Sequence, residues 1–219
     1  PPAAEAIALT TGIDNKTTGA GDDSFSGTNT TLTTGDILDG GEGTDNLSVT
    51  ASLTAAAAIN GFKTSNVETA NINIVDGDTG NDHVLTVNMV DAAIGTVSIG
   101  GTSATTNADG VTLTNVDAGT AVTMAGATNL DLTVTYDAAA LAGATTAKTL
   151  TLSGATYTAA ADFDVTYTAG VETLTIDSIG GTANKVGDVV WGGANLTITG
   201  SQNLTINDAL AVTAQTVDA

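Results

Sequence analysis

Nine consecutive residues, Gly40-Gly41-Glu42-Gly43-Thr44-Asp45-Asn46-Leu47-Ser48, fill every position of the pattern GGxGxDxUx, in which U is a large apolar residue. Each residue type has a physical reason to be there. Glycine lets the chain turn through positive φ and brings backbone carbonyls close to a cation, aspartate supplies a hard anionic oxygen, and the apolar residue anchors the strand that follows. The chemistry such a unit can do is oxygen coordination of calcium (Ca2+). Upstream, Thr18-Gly19-Ala20-Gly21-Asp22-Asp23-Ser24-Phe25-Ser26 fits the same template with Thr in place of the first Gly. Between the two, Asp36-Ile37-Leu38 repeats the end of the unit just before Asp39 and Gly40. A more degenerate copy runs from Gly77 to Val84 and contributes Gly80 and Asp82.

Asp23, Asp36 and Asp45 are 13 and 9 residues apart. Calcium takes about 6–8 oxygen ligands, so one turn cannot complete a shell and neighbouring turns must share the ion. The consecutive pair ending in Asp36 and Asp45 is therefore expected to form the fullest site, with Asp22, Asp23 and Asp39 as further ligands. The candidate metal ligands are Gly19, Gly21, Asp22, Asp23, Asp36, Asp39, Gly41, Gly43, Asp45, Gly80 and Asp82. A competing reading makes the same segments ordinary tight turns, where Gly and Asp are favoured for conformational reasons alone.

Other chemistries find little material. The single histidine, His83, cannot build a His-Glu-x-x-His helix, no G-x-S-x-G elbow supports a serine nucleophile, and there is no cysteine for a thiolate site. His83 is expected to face solvent. Twenty-four carboxylates face only Lys16, Lys63, Lys148 and Lys185, giving a net charge of −20. That charge repels nucleic acid and anionic headgroups, and the absence of arginine argues against enzymes acting on acidic polysaccharides. No spacing singles out a carboxylate pair for glycoside hydrolysis. The expectation is a protein that is not an enzyme.

The elements that must position these turns are strands. Hydrophobic residues make up 42% of the chain but aromatics only 3%, so the core must be filled by Val, Ile, Leu and Ala. Aliphatic/Thr alternation recurs at 70–74, 84–87, 96–99, 111–113, 130–134, 149–152, 174–176, 196–198 and 204–206, with glycines between the runs. The predicted fold is all-β, a parallel β-solenoid with short strands and Gly/Asp turns; the alternative is a β-sandwich. The solenoid is preferred because the nonapeptide is itself a solenoid unit. Two segments, Ser52 to Ile59 and Asp137 to Ala142, carry a capping residue at the start and Gly after the end, and are expected to be short helices. Residues 1–90 form the calcium-binding segment and 91–219 a Thr/Ala/Gly-rich strand segment continuous with it. No apolar run approaches the roughly 20 residues that span a bilayer, so direct membrane insertion is not expected. The opening Pro1-Pro2, with no signal peptide, suggests a piece cut from a longer exported chain.

The Gly-Asp units of residues 9–45, together with the Val-Glu-Thr lead-ins at Val67 and Val171, resemble the repeats-in-toxin superfamily, and within it surface-layer and other large extracellular proteins of Gram-negative bacteria. The motif-bearing part covers about the first 85 residues. The resemblance implies export through a one-step secretion channel, folding driven by external calcium, an extracellular location on the bacterial cell surface, and self-assembly into a homo-oligomer or lattice through the full-length protein. A calcium-dependent adhesin or carbohydrate-binding module, with cell-surface polysaccharide as partner, is the alternative. Tyr136, Tyr157, Tyr167 and Trp191 are the rings that could serve as its sugar platform.

Overall fold

Period-two alternation directs aliphatic side chains to one face of each strand and Thr, Ser or Asn to the other, and a strand of this kind must bury one face. The computed structural model describes residues 2–78, 80–104, 108–139, 141–142, 146–158, 163–168, 170–207, 210–211 and 216–218. They form parallel β-sheets that wind as a β-solenoid, one sheet of 12 strands, one of 7 and a small pair. The strand Asn46–Leu53 lies between Ser24–Thr28 and Lys63–Asp76, and the order then continues through Ala92–Thr102, Ala121–Thr128, Ala147–Ser153 and Thr173–Ile179. The second sheet carries Ala57–Ile59, Val84–Asn88, Asp109–Val116, Leu130–Tyr136, Val165–Tyr167 and Val189–Trp191 in the same order. A third side is short: Asn15–Thr17 pairs with Ile37–Asp39, which pairs with the first residues of Lys63–Asp76. Every pairing among the described strands is parallel, the opposite of the hairpins a sandwich of this sequence would need.

Stacking in register builds the core as columns. One column runs Leu47, Ala70, Val97, Val122, Leu150, Ile176 and Ile198; another runs Leu85, Val111, Leu132, Val165 and Val189. Almost all of these side chains are buried. Outside, Thr86, Thr112, Thr133 and Thr166 form a matching hydroxyl column. The few rings fill the interior: Phe25, Phe62, Phe163, Tyr136, Tyr167 and Trp191 are buried, and Tyr157 is partly buried against the core. Tyr136 stacks on Tyr167 with centroids 6.2 Å apart, and Lys148 Nζ sits 4.5 Å over the Tyr136 ring.

Both expected helices are strand or turn. Ser52 and Leu53 end a strand, and Ala57–Ile59 is a strand of the second sheet, because Ala57 and Ile59 stack on Leu85 and Val87. Alanine's advantage in a helix over other ordinary residues is at most about 0.7 kcal/mol per residue and a helix this short is not stable alone, whereas burying Ile59 against its neighbouring coil is worth about 1.5–3 kcal/mol. From Asp137 the chain makes a single turn, in which Asp137 Oδ1 accepts the Ala139 N–H at 2.8 Å and Asp137 O accepts the Leu141 N–H at 3.2 Å. Ala140 and Gly143 of that expected helix lie outside the described residues. No helix occurs among the described residues, and none is long and apolar enough to cross a membrane.

Candidate cation site at the stacked glycine turns

The turn 40–45 sits directly on the turn 18–23 of the coil before it. Asp23 and Asp45 are 22 residues apart and the Asp23 N–H donates to Asp45 Oδ1 at 2.6 Å. Glu42 N–H donates to Gly19 O at 2.9 Å, Thr44 N–H to Asp22 Oδ1 at 3.0 Å, and Thr18 Oγ1 to Gly40 O at 2.7 Å. The turns approach so closely that a Cβ on Gly41 or Gly43 would collide with the carbonyl oxygen of Gly19 or Gly21. Gly41 and Gly43 also hold φ of 82° and 135°, which a side chain disfavours. One coil further on, Glu68 replaces the aspartate and its Oε2 accepts the Asp45 N–H at 2.6 Å.

Asp45 is the centre of this column. It is 0% exposed, and while Oδ1 is bonded to Asp23, the buried Oδ2 has no hydrogen-bond partner. Burial raises its pKa above the ordinary carboxylate value; the Asp23 N–H opposes this, and the charges of Asp23, Glu68 and Asp22 add to it. Gly40 faces it: a Cβ there would strike both Asp45 Oδ2 and the Asn66 carbonyl oxygen. Asp45 Oδ2 is therefore a buried acceptor without a donor, within the field of three further carboxylates, and a hard divalent cation is one kind of partner that satisfies such an oxygen.

The remaining nominated residues divide. Asp36 is not the stacking neighbour of Asp45; it belongs to another column, in which its Oδ1 accepts the N–H of Asp14, 22 residues earlier, at 2.8 Å. Its Oδ2 accepts the Thr33 N–H at 2.7 Å, so both oxygens are satisfied within the protein. Spacings of 13 and 9 are two parts of one coil, and only their sum brings equivalent residues together. Asp39 Oδ1 takes the Asn66 amide at 2.7 Å and the Gly41 N–H at 3.2 Å, and these bonds, the amide foremost, lower its pKa. In the degenerate copy, Asp78 rather than Asp82 organises the turn: its Oδ1 accepts the Gly80 N–H at 3.2 Å and its Oδ2 the Asn81 amide at 2.8 Å. Asp82 is exposed, and Thr79 lies outside the described residues. His83 does not face solvent; its side chain is 15% exposed and Nε2 lies 3.8 Å from Asp78 Oδ2. Asp14 and Glu68, which complete the two columns, lack the glycine signature, so only the coil length could have marked them. Among the described residues no three acidic or histidine side chains already converge as a metal cage.

Fold and corner together define a parallel β-solenoid whose turns are stitched by carboxylates. No protein-family model, curated protein or solved structure matches the chain.

Proposed function

We propose that this chain is a structural module of a secreted bacterial surface-layer or extracellular matrix protein, related to the repeats-in-toxin proteins, and that calcium at the stacked glycine turns completes its folding and prepares its assembly. The observation that carries the reading is the buried, unbonded Oδ2 of Asp45 amid Asp22, Asp23 and Glu68. An unsatisfied buried acceptor costs about 1–3 kcal/mol, more when charged, and a bound cation removes that cost. The net charge of −20 makes molecules repel until carboxylates are neutralised, which links the same ion to assembly. The sugar-binding alternative loses support because all seven rings pack within or against the core rather than on a face.

Calcium titration, followed by calorimetry and light scattering, tests the proposal. Heat at roughly 10⁻⁴–10⁻³ M calcium, with little from magnesium and a marked loss in Asp45→Asn, is the expected result. No calcium heat, or an equal response to magnesium, overturns it.

A further inference from the structure

Asp109 repeats the arrangement of Asp45 at a different corner, where the chain passes from the first sheet to the second. It opens the strand Asp109–Val116 and is 0% exposed. Its Oδ1 accepts the N–H of His83 in the coil before, at 2.9 Å, as Asp45 Oδ1 accepts that of Asp23. Its Oδ2 is buried with no hydrogen-bond partner. The backbone around it is held: Asp109 N–H donates to Ser103 Oγ at 3.0 Å and Gly110 N–H to His83 O at 2.8 Å.

The charges that act on Asp109 are Asp76 and His83. Asp76 is half-buried and ties two turns to this corner, with Oδ1 accepting the Asp78 N–H at 2.8 Å and Oδ2 the Ala104 N–H at 3.0 Å. Each of those oxygens keeps a second lone pair. A buried carboxylate oxygen without a donor, in the field of a second carboxylate and with the Ser103 side chain hydrogen-bonded to the same carboxyl group, can be satisfied by a hard cation, which accepts water for its remaining positions.

We infer that Asp109 and Asp76 hold a second divalent cation, calcium by the chemistry of the donors, at a corner that no glycine-aspartate repeat marks. The site is independent of the Gly40 turn: it shares no residue with it and lies on another side of the coil.

Calorimetric titration with calcium chloride, paired with thermal melts in chelator and in calcium, tests this on the whole chain. Asp109→Asn keeps an Oδ1 acceptor for His83 and removes the charge. It is expected to melt no lower than wild type in chelator, to bind one ion fewer, and to gain less from calcium. Asp76→Asn, at the rim, should weaken the same ion about tenfold or more, and reads the site even if Asp109→Asn folds poorly. In Asp45→Asn this ion should remain, so failure of the glycine-turn site and failure of this one are distinct results. Unchanged stoichiometry and unchanged calcium shift in Asp109→Asn, or unchanged affinity in Asp76→Asn, overturn the inference. Saturation by zinc chloride but not by calcium chloride also overturns it, since that preference would belong to the His83 imidazole.

Discussion

Asp36 and Asp45 look alike in the sequence, yet the structure gives their amides opposite expected effects. Asp36 uses both oxygens: Oδ1 for Asp14 N–H at 2.8 Å and Oδ2 for Thr33 N–H at 2.7 Å, with Thr33 Oγ1 adding a contact at 3.3 Å. Asparagine can satisfy only one of those N–H groups and turns its own NH2 toward the other. Losing one charge-assisted bond costs about 1.5–3 kcal/mol, and stranding the donor adds to it, so Asp36→Asn should destabilise by about 2–4 kcal/mol. For a chain of this size that is a fall of roughly 4–16 °C in melting temperature. Asp45→Asn keeps the Asp23 bond on Oδ1 and replaces an unbonded anionic oxygen with a donor on the side of the Asn66 carbonyl. In chelator it should be neutral or stabilising by up to about 2 kcal/mol. Melts of the two variants in chelator decide the matter. Equal losses, or a larger loss in Asp45→Asn, would refute the division of these columns into a satisfied one and an unsatisfied one.

Gly43→Ala should lower the melting temperature and weaken calcium uptake together, because φ of 135° and the Gly21 carbonyl both exclude a Cβ, whereas Gly119→Ala, with nothing within 4 Å, should leave both unchanged. In chelator, stability should respond to acid in two opposed ways. Burial raises the folded-state pKa of Asp45 and Asp109 above 3.8, so their contribution grows as pH falls from neutral through those raised values and is complete below 3.8. Hydrogen bonds, from Thr10 N–H and the Asn66 amide foremost, lower those of Asp14 and Asp39 below 3.8, so their contribution holds above that value and is lost beneath it. The double variant Asp45→Asn/Asp109→Asn should therefore lose the mild-acid gain and keep the strong-acid loss, as read by denaturant unfolding across the pH range.

The strands were legible because alternation survives any coil length: residues 70–74 and 149–152 show it without help from their neighbours. The turns were legible as turns for the same local reason. What a nine-residue pattern could not convey was which turns meet, since contact is decided by the length of the coil. That length is 22 residues between Asp23 and Asp45 but 29 between Ala155 and Asn184. Asp109 was invisible because its partner His83 lies 26 residues away and no glycine pair stands five and four residues before it, as Gly40-Gly41 do before Asp45. The run Ala55 to Ala58 misled because alanine favours helix in isolation, while the waiting edge of Val84–Asn88 rewards a strand.

Parallel stacking also sets how the molecule would answer a pull. Hydrogen bonds between coils point along the winding axis, so tension applied along that axis meets the coils one after another, in series, and each can let go without disturbing those beyond it. Releasing one coil, from Asp23 to Asp45, frees 22 residues. At full stretch they pay out roughly 75 Å of chain. Stretched at one end, such a rod would lengthen in discrete steps and rewind onto the exposed edge of the next coil, a ratchet-like shock absorber whose step size is the circumference of its own winding.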